Sequence, residues 1–175
     1  MTTKKDVDEI EHSATNSRNG TQTYIKASRV NHILAPTDLS RESRKTVNYA
    51  MWLARCFHAK LTLLHVYQVP GTFECAFGLP EPEILQQNKD RAELNLLALH
   101  DVIRAQHPNT EPLFRCGEPR TEIPATARIR GVDLIVISTH DYKWLRRVAE
   151  GGDAEKIIRD APCPVLILRE MSLTS

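Results

Sequence analysis

Residues 132–169 read VDLIVISTHDYKWLRRVAEGGDAEKIIRDAPCPVLILR, and the fold class follows from how this stretch divides. Leu134-Ile135-Val136-Ile137 is an apolar run of strand length, rich in β-branched residues and too short for a helix. A polar loop, 138–152, comes next. Beyond it Ala154, Ile157, Ile158 and Ala161 recur at helical spacing. Pro162 stops that helix, and Pro164 opens Val165-Leu166-Ile167-Leu168, a second strand of the buried type. Two such strands joined through a helix predict a parallel βαβ pair. In such folds, loops that leave a strand's carboxyl end and enter a helix hold anions and nucleotides. The 138–152 loop is therefore the first candidate ligand site.

Working back toward the amino terminus, the same alternation repeats. Val30 to Ala35 is a first strand, ended by a Pro36-Thr37-Asp38 turn, with Ser40 placed to cap the next helix. Val47, Ala50, Met51, Ala54 and Phe57 form that helix's buried stripe, with Arg41, Arg44, Lys45, Asn48 and Arg55 on its wet side. Leu61 to Val66 is the second strand, and its His65 is expected to anchor backbone. Residues 68–82 form a long Pro- and Gly-bearing connection containing Phe73 and Phe77. From Glu83 to about His107 runs the longest helical pattern, with Leu94, Leu97, Ala98 and Val102 on one face, broadened by Leu96, Leu99 and Ile103. A strand near 111–116 follows, then a weak helix near 121–130 with Pro124 in its first turn and Gly131 as its stop. The order β-α-β-α-β-α-β-α-β predicts a single doubly wound α/β domain, a parallel sheet with helices on both faces.

Composition narrows the functions open to this domain. The chain has 175 residues, 41% hydrophobic and 26% charged, with a net charge of +1. That balance gives no general drive toward nucleic acid or acidic lipid. No apolar run reaches the roughly 18 residues of a membrane span, and the amino terminus lacks a secretory layout. Cys56, Cys75, Cys116 and Cys163 are scattered without a CxxC pair, and the seven histidines show no HxH or HExxH spacing. The expectation is a cytoplasmic protein with reduced thiols and no metal. Residues 1–29 hold no apolar run and are expected to be a disordered or loosely docked tail, with 30–175 as the folded domain.

Several short pieces together resemble one family. These are Ile33-Leu34-Ala35-Pro36-Thr37-Asp38 with Ser40, Lys60-Leu61-Thr62-Leu63-Leu64-His65-Val66, Gly117-Glu118-Pro119, and Val132-Asp133-Leu134-Ile135-Val136. His140, Gly151, Glu155 and Ala161-Pro162-Cys163-Pro164-Val165-Leu166 complete the set in matching order. Over about 30–170 the chain resembles the universal stress proteins, the UspA family. The resemblance implies a Rossmann-like five-stranded parallel sheet of order 3-2-1-4-5. That order sets the turn after the first strand beside the loop after the fourth, at a topological switch point.

Many members of that family bind ATP there through Gly-x2-Gly-x9-Gly-Ser/Thr, with an aspartate after the first strand at the adenine end. The resemblance places Asp38 in the aspartate's position. It places Ser138 and Asp141 where the first two glycines belong, Gly151 at the third, and Gly152 at the hydroxyl position. The candidate nucleotide crevice thus comprises Pro36, Thr37, Asp38, Ser138, Thr139, His140, Gly151, Gly152 and Asp153. Side chains at 138 and 141 stand where backbone N–H groups must approach a phosphate, and Asp141 and Asp153 add charge of the wrong sign. Asp153 can also cap the final helix itself. Lys143, Arg146 and Arg147 in the same loop are the residues that oppose this trend.

The resemblance further implies a homodimer through Val165, Leu166, Ile167 and Leu168, because that strand lies at the sheet edge. Neither HxGH nor SGGxDS follows the first strand, and no Ser/Thr/Gly-rich flavodoxin-type phosphate loop does either. The reading is a non-enzymatic stress-response protein, acting through dimerisation and an unidentified protein partner, with weak or absent ATP binding. The alternative is a nucleotide-binding member with a modified phosphate loop.

Overall fold

The computed structural model describes residues 29–68, 82–138 and 153–168. The expectations for the 1–28 tail, for Phe73, Cys75 and Phe77, and for 139–152 lie outside the described residues. Among the described residues five strands alternate with four helices: β1 His32–Pro36, α1 Ser43–Phe57, β2 Lys60–Tyr67, α2 Pro82–Arg104, β3 Thr110–Cys116. The order continues with α3 Pro119–Arg130, β4 Leu134–Ser138, α4 Asp153–Asp160 and β5 Val165–Leu168. The strands form one parallel sheet in the order β3-β2-β1-β4-β5. This is the fold class and strand order expected from the sequence.

The central strands are apolar on both faces because helices cover both. Ile33, Ala35, Leu61, Leu63 and Val136 pack against Val47, Ala50 and Ala54 of α1 and against Leu96, Leu99 and Ile103 of α2. Leu34, Leu64, Ile135 and Ile137 point the other way, into a second cluster with Ile123 and Ala127 of α3 and Ile157 of α4. A period of two along each strand thus divides its side chains between two cores.

Asp133 sets β4 against β1. Its Oδ2 accepts the backbone N–H of Asn31 at 2.8 Å and of His32 at 3.0 Å, while its own N–H donates to the His32 carbonyl. At the same amino-terminal end, Glu111 receives Lys60 at 2.8 Å, the Thr62 hydroxyl at 2.8 Å and Arg130 at 3.4 Å. Burial alone would raise the Glu111 pKa, but these donors together hold it below the usual carboxylate range.

Several boundaries and faces differ from the sequence expectations. In α2 the buried residues are Leu96, Leu99, His100 and Ile103, whereas Leu94, Leu97 and Val102 are 66%, 43% and 60% exposed. The helix carries two apolar stripes, and the one against the sheet is the one that also brings His100 to the carbonyl of Thr110 at 3.1 Å. Phe57 and Ile158, expected in the core, sit at or near helix ends on the outer side and are exposed. β1 runs from His32 through Pro36 rather than starting at Val30, and Thr37 N–H still donates to Leu64 O at 2.8 Å. α3 begins at Pro119, so Pro124 lies inside the helix rather than in its first turn. Pro124 is buried there, and its packing offsets the one helical hydrogen bond that its missing N–H removes.

Candidate functional site

The chain reverses direction across the sheet between β1 and β4, so the carboxyl ends of these two strands frame a crevice. Ile33 pairs with Leu134 and Leu34 with Ile135. Thr37 follows β1 and Ser138 ends β4, and both are buried. Pro36, Thr37, Asp38 and Ser138 of the predicted crevice therefore lie at the carboxyl ends of these two neighbouring strands. Thr139, His140, Gly151 and Gly152 lie outside the described residues. Asp153 is the first residue of α4, and its side chain is likewise outside the described set.

The turn after β1 is closed by its own side chains. Thr37 Oγ1 accepts the Leu39 N–H at 3.0 Å and shares a 2.8 Å hydrogen bond with Ser43 Oγ. The Ser43 hydroxyl donates to the Ser40 carbonyl at 3.1 Å, so Thr37 supplies the proton in the bond between the two hydroxyls. Asp38 Oδ1 accepts the Ser40 N–H at 2.9 Å, an Asx turn. Leu39 adopts φ 65, a left-handed conformation that an L-residue with a Cβ reaches at a cost. Ser40 does not immediately precede α1 as a cap. Its Oγ accepts the Ser43 N–H at 3.1 Å and so caps the turn that leads into the helix, whose N-cap position is Glu42.

His65 anchors this turn to β2. Its Nδ1–H donates to the Thr37 carbonyl at 2.8 Å, and its ring lies 5.6 Å from that of Phe114. Burial pushes the His65 pKa down, against the opposing pulls of that carbonyl and of Asp38. The ring is thus a neutral backbone anchor, as the sequence predicts. The signal that sequence reading missed is the Thr37–Ser43 pair, whose 37/43 spacing crosses a turn of unexpected φ.

A second polar chain occupies the opposite end of the sheet. His32 Nδ1 lies 3.2 Å from the Arg130 carbonyl and its Nε2 2.8 Å from Thr62 Oγ1. Thr62 has one hydroxyl proton, which faces both His32 Nε2 and Glu111 Oε1. It serves one acceptor at a time unless His32 is protonated. Burial lowers the His32 pKa despite the Arg130 carbonyl, with Lys60 adding to the decrease and Glu111 and Asp133 opposing it.

Among the described residues no group of His, Cys, Asp or Glu has the arrangement of a metal site. Cys56, Cys116 and Cys163 are free thiols, and burial raises the Cys163 pKa, with Asp133 contributing. No described helix is long and apolar enough to cross a membrane.

An open parallel sheet with a crevice at its switch point defines a doubly wound domain of the kind that receives small ligands at strand carboxyl ends. Residues 29–169 match the family model described as "Universal stress protein family", and the chain belongs to that family. A universal stress protein of Methanocaldococcus jannaschii is 30% identical over 164 residues, covering 87% of this chain and 86% of the relative. The universal stress protein UspA from Lactobacillus plantarum superposes with a TM-score of 0.66 at 25% identity, covering 81% of this chain and 99% of that one. A universal stress protein solved in complex with cAMP shares the fold, with a TM-score of 0.61 at 18% identity over 81% of this chain and 98% of its own.

Proposed function

We propose that this universal stress protein acts without catalysis, as a homodimer that binds a protein partner in the stress response, and that its affinity for ATP is weak. In this reading 30–175 form the working domain, 1–29 a tail, and the protein is cytoplasmic. The observation that carries it is the turn after β1 together with Ser138. Thr37 and Asp38 direct hydrogen-bonding capacity into their own turn, and Ser138 puts a side chain where a phosphate needs bare backbone. Asp141 and Asp153 add negative charge to the same loop.

Restoring the motif tests the reading. Titration of the full chain with ATP and Mg²⁺, followed at the backbone amides of 37–40 so that only the crevice is read, should give a constant no tighter than about 1 mM. The variant carrying Ser138→Gly, Asp141→Gly and Gly152→Ser should bind at least about tenfold tighter. Low-micromolar binding by the unaltered chain would overturn the proposal.

One observation favours a second reading, in which the crevice takes a nucleotide through Asp38, Gly151, Gly152 and the bases Lys143, Arg146 and Arg147. The strand order sets the carboxyl ends of β1 and β4 side by side, and a protein of the same fold was solved with cAMP. A rise in melting temperature with AMP or cAMP, absent with inorganic phosphate, would select this reading, since a ligand of the native state raises apparent stability.

A further inference from the structure

We propose that the groove between α3 and α4 is a second binding site, separate from the switch-point crevice, for a small molecule bearing more than one phosphate group. The groove encloses about 530 Å³, within the range of small-molecule sites. Its floor is formed in part by Pro124 and Ala161, and Arg120, Arg128, Lys156 and Arg159 line its sides. The chain as a whole is nearly balanced, with 23 basic and 22 acidic residues. Among the described residues, four cations from two helices line one cavity together with one carboxylate, a local concentration.

That carboxylate does not neutralise the groove. Asp160 Oδ1 lies 3.4 Å from Arg159 Nε, and its backbone carbonyl accepts Arg128 Nη2 at 3.2 Å. Asp160 thereby restrains two guanidinium groups at the carboxyl end of α4. Arg120 is itself paired, its Nε 3.9 Å from Glu118 Oε2, both half-exposed, so the test rests on Arg128, Lys156 and Arg159. Guanidinium forks match phosphate oxygens in pairs, and several forks around one cavity suit a ligand with several such groups. Among the described residues no aromatic side chain lines the groove to stack a base, in contrast to a single-stranded nucleic-acid channel. Cations held this close repel one another, and a multiply charged anion relieves that repulsion.

Tripolyphosphate is the probe. Calorimetry on the full chain at physiological ionic strength should give a constant tighter than about 1 mM, with inorganic phosphate at least about tenfold weaker. The variant Arg128→Gln, Lys156→Gln, Arg159→Gln should lose at least about tenfold in affinity, and Asp38→Ala in the crevice should change it less than about twofold. Backbone amide shifts in the unaltered chain should move at 120–128 and 156–161 rather than at 36–40, a readout that does not depend on any variant folding. Absence of binding, equal affinity in the triple variant, or shifts confined to 36–40 would each overturn the proposal. A failure here leaves the ATP titration of the crevice untouched, because that one is read at the amides of 37–40 and this one at those of 120–128 and 156–161.

Discussion

His65 and His32 are buried at opposite ends of the sheet, and burial lowers the pKa of each. A histidine whose folded pKa lies below its unfolded value of 6.5 leaves the unfolded chain holding more protons between the two values. Stability from this source is fully present above pH 6.5 and falls as the pH drops through that value toward the folded pKa. Urea unfolding between about pH 7.5 and about pH 5.5 should therefore show a falling midpoint. In His65→Asn the fall should be smaller, although its midpoint at the higher pH is also lower because the 2.8 Å bond to the Thr37 carbonyl is altered. An unchanged slope in His65→Asn would remove this residue from the account. His65 was legible as an anchor because a histidine ends an apolar strand run. Its partner was not, because Thr37 lies 28 residues away and meets it only through the β1–β2 pairing.

At the scale of the element, α1 and α3 end alike but with different residues. The α1 cap is His58 at φ 55, and the α3 cap is Gly131 at φ 61. Only the glycine reaches this conformation without a Cβ penalty. His58→Gly should raise stability by about 0.5–1 kcal/mol, and Gly131→Ala should lower it by about 1 kcal/mol. No atom lies within 4 Å of the Cβ that Gly131→Ala introduces, so the expected loss is conformational. Thermal unfolding of both variants checks the pair, and a loss on His58→Gly would show that its side chain matters more than its φ. In α2 the two apolar stripes make a sharper contrast. Leu99→Ala should cost about 2–4 kcal/mol, since Leu99 is buried against the sheet, whereas Leu94→Ala should stay within about 0.5 kcal/mol. Equal losses by denaturant unfolding would mean that the outer stripe is covered. Spacing alone ranked the outer stripe first, because periodicity identifies faces but not which one meets the sheet.

For the whole molecule, β5 is, among the described residues, an edge strand paired with β4, with Ile167 exposed. Unpaired N–H and C=O groups on such an edge accept another strand readily. If the proposed homodimer forms there, Ile167→Lys should shift sedimentation equilibrium at micromolar concentration toward the 19.9 kDa monomer, while the unaltered chain sediments as a dimer. A monomeric unaltered chain would refute the dimer and leave the fold as it is.

The amino-acid order by itself determined where strands and helices lie, because apolar runs, helical spacing and proline stops act within a few residues. Through resemblance it also implied that Ser138 and Asp141 stand where a glycine motif would run. The strand order was implied by the resemblance, whereas which stripe of α2 is buried, how Thr37 is tied to Ser43 and His65, and how Arg120 and Arg128 come to line one groove with Lys156 and Arg159 were settled only in the tertiary structure. Those relations join residues far apart along the chain, and they exist only after the sheet has brought its helices together.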